Sequence, residues 1–162
     1  MDSPVTVRVA APDELDAAGA IVADAYAADG FAHDEYLLEI ADARRRARDA
    51  EVLVAVSDGD LLGCVTFAVP PSPWAELSAP GEAEFRMLGV SPIARGRGVG
   101  DALVRACIAG ARELGAHRLV LCTQPTMAVA HRLYGRLGFV RDPARDWSPV
   151  PGIDLVGYTL DL

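Results

Sequence analysis

The chain is poor in cysteine. It holds three among 162 residues, Cys64, Cys107 and Cys122, each inside an apolar run (LLGCVTF, VRACIAG, LVLCTQ). An odd number with no C-x-x-C spacing argues against a disulfide framework and against a cysteine-built zinc site. Buried thiols suit a reducing compartment. His117 and His131 belong to no metal-ligand pair, so no metal is expected. No apolar stretch approaches the roughly 20 residues that a bilayer span needs, so no membrane association is expected. The segment MDSPVTVRVA lacks the basic start and apolar core of a secretory signal, and a cytoplasmic location is the expectation. Basic charge is also short: 15 Lys and Arg stand against 23 Asp and Glu, for a net charge of -8. A general nucleic-acid binder needs a basic face, so no nucleic-acid partner is expected. An acidic surface attracts cationic acceptors and also aids solubility, and both readings stand.

There is no internal repeat, no linker and no low-complexity tract; the 11 prolines and 15 glycines are spread along the chain. Hydrophobic residues make up 51% and charged residues 23%, a globular composition. The length fits one domain over 1–162, in which roughly two-thirds of the unfolded surface can be buried without a staple.

VTVRVA alternates and predicts a first strand. Pro12 and Asp13 predict a helix start, with Asp13 as cap, running to about Ala27. A second helix is expected over roughly Asp34 to Arg48; its RRRAR run reads as a solvated face or a basic docking site. EVLVAVSDGDLLGCVTFAV predicts a hairpin about Asp58-Gly59. After the loop PPSPWAELSAPGE come a strand at 83–90, a helix from Val99 to Gly115, and the buried strand HRLVLCT. Thr126 is expected to cap a helix that Gly138 closes. FVR, the loop PARDWSPVPG and the strand IDLVGYTLDL complete the order. That order predicts an α/β (α+β) fold. Its central sheet is mixed and mostly antiparallel, with about seven strands, one parallel crossover over 83–123 and helices on both faces.

One short stretch runs against the acidic total. Residues 91–105 carry Arg95, Arg97 and Arg105 against Asp101 alone, around glycines 96, 98 and 100. The mouth of a helix offers free N–H groups and about half a positive charge. Glycines let the main chain approach a ligand and adopt positive φ. Together they predict a phosphate cradle, against the plain alternative of a flexible turn with surface arginines. The dinucleotide fingerprint fails, because Asp101 stands where its last glycine belongs. The P-loop fails for want of a lysine.

The segment MLGVSPIARGRGVGDALV resembles the cofactor-binding motif of the GNAT acyltransferase superfamily, in which R/Q-x-x-G-x-G/A opens a helix. The second signature of that family, A-x-x-L/F-Y-x-x-L-G-F, is matched by AVAHRLYGRLGF. The two signatures and the strand between them cover residues 84–140; outside them only the order of elements matches. The resemblance implies a single GNAT-like domain that binds acetyl-CoA, or another acyl-CoA, as co-substrate. It implies that the main chain of Leu88, Gly89 and Val90 pairs with pantetheine like an added strand. It implies that the amides of Gly96, Arg97, Gly98, Val99 and Gly100 take the pyrophosphate. The side chains of Arg95 and Arg97 either neutralise phosphate or are solvated.

The implied reaction is direct attack of a primary amine, on a small molecule or a peptide, on the thioester carbonyl. A lysine-type amine has a pKa near 10.4, so a base is needed, directly or through water. Glu84 stands at the common base position of the family, with Glu82 as fallback and a solvent-facing carboxylate as the alternative. Strand alternation predicts Glu84, Arg86, Leu88 and Val90 on one face. Tyr134 matches the tyrosine that protonates the leaving thiolate; as an amphipathic-helix residue it also reads as core. The N–H of Val90 is the implied oxyanion donor. Met127 stands where the family often has asparagine, leaving Gln124 or Thr126 to replace it, and His131 is expected to face solvent. Acceptor choice falls to Tyr26 to Tyr36, PPSPWAELSAPGE and RDPARDWSPVPG, where Trp74, Asp146 and Trp147 either hold an amine or anchor loops. Two other readings stay open: a non-catalytic acyl-CoA sensor of the same fold and a structural subunit. The resemblance also allows a homodimer.

Overall fold

A computed structural model describes residues 3–30 and 34–162. Alternating β-branched segments form β1 (Thr6–Val9), β2 (Glu51–Ser57), β3 (Asp60–Ala68), β4 (Glu82–Val90), β5 (Arg118–Thr123), β6 (Val140–Arg141), β7 (Trp147–Val150) and β8 (Ile153–Asp161). The sheet order is β1-β2-β3-β4-β5-β8-β6, with β7 added on β8. Every pairing is antiparallel except β4 with β5. The expected mixed sheet and its single parallel crossover are present. The eighth strand, β7, lies in what the sequence marks as loop, because Pro149 and Pro151 mask a strand that pairs on one side only.

Side chains alternate across the sheet into two cores. Val52, Val54, Cys64 and Met87 pack under α1 (Leu15–Ala28), α2 (Asp34–Ala41) and α3 (Ala43–Arg46). Leu53, Phe67, Phe85 and Leu119 pack on the opposite side under α4 (Val99–Glu113) and α5 (Ala128–Arg136). Helices therefore cover both faces, as expected.

Local details differ from the sequence expectations for physical reasons. Asp13 is not the cap of the first helix. A 3-10 turn at Pro12–Glu14 precedes α1, and the Glu14 carboxylate accepts from the Ala11 N–H at 2.8 Å. The expected second helix breaks in two at Asp42, whose side chain accepts from the Arg45 N–H and starts α3. The RRRAR run is not one solvated face. Arg44 pairs with Asp16, Arg45 lies over the Trp74 ring, and Arg46 is fully buried, donating to the Thr66 hydroxyl at 3.0 Å. Thr126 does not cap α5, which starts at Ala128 with Met127 at its N-terminus.

Two features of β4 set the geometry of its far end. First, β4 and β5 pair only from Glu82↔Arg118 to Glu84↔Val120; beyond that the strands part. Second, β4 carries a bulge. The β3 partners step from Cys64↔Gly89 to Thr66↔Arg86, so β4 spends three residues against two, and Met87 takes a positive φ of 55°. That conformation costs a residue with a Cβ about 1–2 kcal/mol. The bulge overturns the expected alternation. Glu84 and Arg86 stay on the α1 face, while Leu88 and Val90 turn to pack with the core under α4.

The crossing of α1 and α2 is equally tight. A Cβ built on Gly19 would lie 2.0 Å from the Ala41 carbonyl oxygen. Main chain cannot yield there without parting the helices. Gly19→Ala is therefore expected to destabilise by about 1–3 kcal/mol despite its better helix propensity, lowering the thermal midpoint by several degrees. An unchanged midpoint in a calorimetric scan would contradict this close approach.

Candidate active site

The mouth of α4 is built as its glycines foretell. Gly98 sits at the N-terminal boundary with φ 77°, and Gly96 has φ 80°, both left-handed conformations open to glycine at little cost. A Cβ on Gly100 would meet Leu133 at 3.3 Å, so α4 and α5 pack closely there. Beside this mouth lies a cleft of about 540 Å³ that reaches the far end of β4 at Leu88–Val90. Leu88, Gly89, Val90, Arg95, Gly96, Gly98, Val99 and Gly100 all line it. Of the expected cofactor residues, Arg97 alone is not in its walls.

Arg95 is half-exposed yet paired. It forks onto both carboxylate oxygens of Asp29, at 3.1 and 2.8 Å, tying the loop before α4 to the end of α1. Two arginines outside the sequence expectations, Arg132 and Arg136, also line the cleft. Their i, i+4 spacing on α5 was the available signal, since it puts both on one side of the helix. Thr126 and Met127 line it too.

A second cavity of about 90 Å³ adjoins the first and shares Tyr26, Leu88, Met127 and Ala130 with it. Arg86, Cys122, Gln124 and Tyr134 complete its polar wall. Tyr134 is buried against the rings of Phe85, Phe139 and Tyr158, and that burial pushes its hydroxyl pKa up. Tyr36 also lines this cavity; residues 31–33 of the expected acceptor segment lie outside the described residues.

Glu84 lies elsewhere than expected. It is buried and lines neither cavity. One carboxylate oxygen accepts from the N–H groups of Leu77 and Ser78, each at 2.9 Å, and from the Ser78 hydroxyl at 2.8 Å. Burial raises its pKa and outweighs these hydrogen bonds. Glu82, the fallback base, is unsuited to that work. Burial disfavours its charge, yet the Arg145 guanidinium at 2.8 and 2.7 Å, the Ala79 N–H and Arg118 hold its pKa down to about 2.

Other expectations resolve as packing. The face of Trp74 is taken by Arg45 and Arg86, at 5.5 and 5.6 Å. Asp146 is forked by Arg141. His131 does not face solvent: its Nε2 meets the Gln124 carbonyl at 3.0 Å and its ring packs on Tyr158. Among the described residues no helix is long and apolar enough to cross a membrane.

The model of the acetyltransferase (GNAT) family matches residues 19–139. The chain belongs to that family. This GNAT chain is 36% identical over 145 residues to a mycothiol acetyltransferase of Cellulomonas flavigena, covering 80% of this chain and 42% of that protein. The chain thus spans less than half the length of that curated relative. Among solved structures it is similar to a GCN5-related N-acetyltransferase from Kribbella flavida, with TM-score 0.72 and 26% identity across 98% of each chain. A Salmonella typhimurium structure with its cofactor acetyl-CoA shares the fold at TM-score 0.67 and 24% identity, over 98% of this chain and 94% of that one.

The Glu82 cluster of this GNAT chain makes a stability prediction. A carboxylate whose folded pKa lies near 2 stabilises the fold fully above its unfolded value of about 4.3. That contribution is lost as pH falls from about 4.3 toward 2. Arg145→Met, which strips the fork, is expected to destabilise by about 3–5 kcal/mol at pH 7 and by much less near pH 2.5. Urea denaturation of both proteins at the two pH values measures it, and an equal loss at both would refute the assignment.

Proposed function

We propose that the chain is an N-acetyltransferase moving the acetyl group of acetyl-CoA onto a primary amine by direct attack in a ternary complex. The supporting observation is the continuous path from the glycine mouth of α4, along the unpaired end of β4, to Tyr134. The residues present fit coenzyme A. The edge of β4 at Leu88–Val90 offers strand-like donors and acceptors to the two pantetheine amides. The amides of residues 96–100 receive the pyrophosphate at the positive end of α4. Arg132 and Arg136 supply cationic charge from the opposite wall. Arg95 reaches phosphate by exchanging Asp29 for it. We keep residues 1–162 as one domain for this activity. The named substrate of the mycothiol relative does not carry over, because less than half of that protein is matched.

Bound acetyl-CoA supplies an activated thioester. The residues of the chain then order the proton traffic. Burial raises the pKa of Tyr134 and holds its hydroxyl in the protonated form that can donate to the departing sulfur. The N–H of Val90 faces the charge that develops on the carbonyl oxygen. Glu84 takes the proton of the amine through a water, since its buried carboxylate lines neither cavity. Its raised pKa moves it toward the range where a carboxylate is an effective base.

Thiol release from acetyl-CoA with a panel of amines, beside calorimetry with CoA, tests this reading. Turnover with one class of amine supports it. Tight CoA binding with no turnover on any amine marks a sensor, and no CoA binding at millimolar concentration removes the reading altogether. Tyr134→Phe is expected to lower kcat by about 10²–10⁴ while CoA affinity holds within a few-fold. Full turnover in that variant would strip Tyr134 of the role. For Glu84 the sign is fixed: the base works ionised, so the rate rises with pH through an apparent pKa above the usual carboxylate value of about 4.3. Glu84→Gln is expected to remove that acidic limb, and an unchanged profile would move the base elsewhere.

A further inference from the structure

We infer that the acceptor carries an anionic group, a carboxylate in the first instance, close to the amine that is acetylated, and that Arg86 receives it. The inference rests on the acetyl-transfer reading for what fills the second cavity. Among the described residues lining that cavity, Arg86 is the one charged side chain; no Asp or Glu shares the wall with it. A cation beside the place where a protonated amine must arrive repels a simple amine. It attracts an acceptor that brings its own anion.

The guanidinium is fixed but loosely satisfied. It lies over the Trp74 ring at 5.6 Å, which sets its plane, and its side chain is 16% exposed. The Trp74 carbonyl stands 3.5 Å away and the Glu76 carboxylate 3.4 Å, both long for a guanidinium with five donors, and the Tyr36 hydroxyl also bonds it. The Glu76 side chain is 39% exposed, so a ligand anion can take its place on the guanidinium. A substrate carboxylate matches the fork of the guanidinium in two hydrogen bonds.

Size and chemistry agree. About 90 Å³ is the share of roughly three waters, room for an amino-carboxylate head and little more. The remainder of the acceptor must lie outside. Arg86 also helps the reaction forward, because a nearby positive charge lowers the pKa of the amine and favours its neutral, attacking form. Arg86 and Glu84 lie two residues apart on the same face of β4, so one strand carries both the group that orients the acceptor and the group that takes its proton.

The test compares α-amino acids, and peptides presenting a free carboxylate near the amine, with their carboxamides as acceptors. The quantity read is the ratio of kcat/KM for acid over amide, compared between wild type, Arg86→Gln and Arg86→Lys. Taking the change in ratio between proteins cancels the effect of amidation on the amine itself. The ratio is expected to fall about 10–100-fold in Arg86→Gln, mostly through KM, with Arg86→Lys between it and wild type. CoA affinity by calorimetry stays unchanged, which separates loss of acceptor recognition from failure of the acetyl-CoA reading. An unchanged ratio in a folded Arg86→Gln protein overturns the inference. Where both variants fail to fold, wild type decides. Carboxylic acids lacking the amine must inhibit competitively against the acceptor while their amides do not, and equal inhibition overturns the proposal. CoA-loaded protein showing neither turnover nor saturation-transfer NMR contact with any carboxylate-bearing amine overturns it as well.

Discussion

The parting of β4 from β5 after three paired positions is the constraint on which the rest depends. A parallel pair that continued to Val90 would close the cleft and use up the strand edge. Opening it leaves main-chain donors and acceptors to be met by something else, which costs stability unless a ligand or water meets them. The open V is braced at its paired end by charge. Glu82 of β4 and Arg118 of β5 are register partners and are bonded at 3.2 Å. Arg145 grips the same carboxylate from the segment after β6 and also donates to the Leu77 carbonyl. Glu84, one step up the strand face, ties down residues 77 and 78. The carboxylates near the base of the V therefore hold strands and loop in place, and only beyond them does the sheet open.

The bulge at Met87 is the second half of this arrangement. By inserting one residue it turns Leu88 and Val90 toward α4 while leaving Arg86 on the α1 face. Without it Arg86, Leu88 and Val90 would follow a simple alternation and fall on one side. The strain of a left-handed methionine is offset by burial, since Met87 packs in the core under α1. Gly89 completes the turn; a Cβ there would lie 2.7 Å from the Cα of Val22, so α1 presses directly on β4.

Charge in this chain is unevenly used. All 15 basic residues are arginine, against a net charge of -8. Arginine forks carry the Asp29, Glu82 and Asp146 contacts, where planar bidentate geometry outperforms a point charge. The arginines that remain beside the cleft, Arg132 and Arg136, give an acidic molecule a local cationic wall.

The glycine mouth, its helix and the tyrosine of α5 were legible in sequence, because local spacing alone sets where a helix begins and which residues share its stripe. The order of elements along the chain, the hairpin at Asp58-Gly59 and the parallel crossover were legible for the same reason. Nothing local announces a bulge at Met87 or a parting after Glu84; both arise from how β4 meets β3, β5 and α1 at once. The fates of similar residues were equally hidden. Glu82 and Glu84 look alike in sequence, yet arginines hold one ionised while burial raises the pKa of the other. Arg44, Arg45 and Arg46 are neighbours in a charge run, and tertiary packing sends them to an ion pair, an aromatic face and the core. Sequence by itself determined most of the elements and the glycine mouth of α4, since these depend on backbone preference and period. The tertiary structure alone decided which charges meet, because pairing, burial and desolvation belong to residues far apart along the chain.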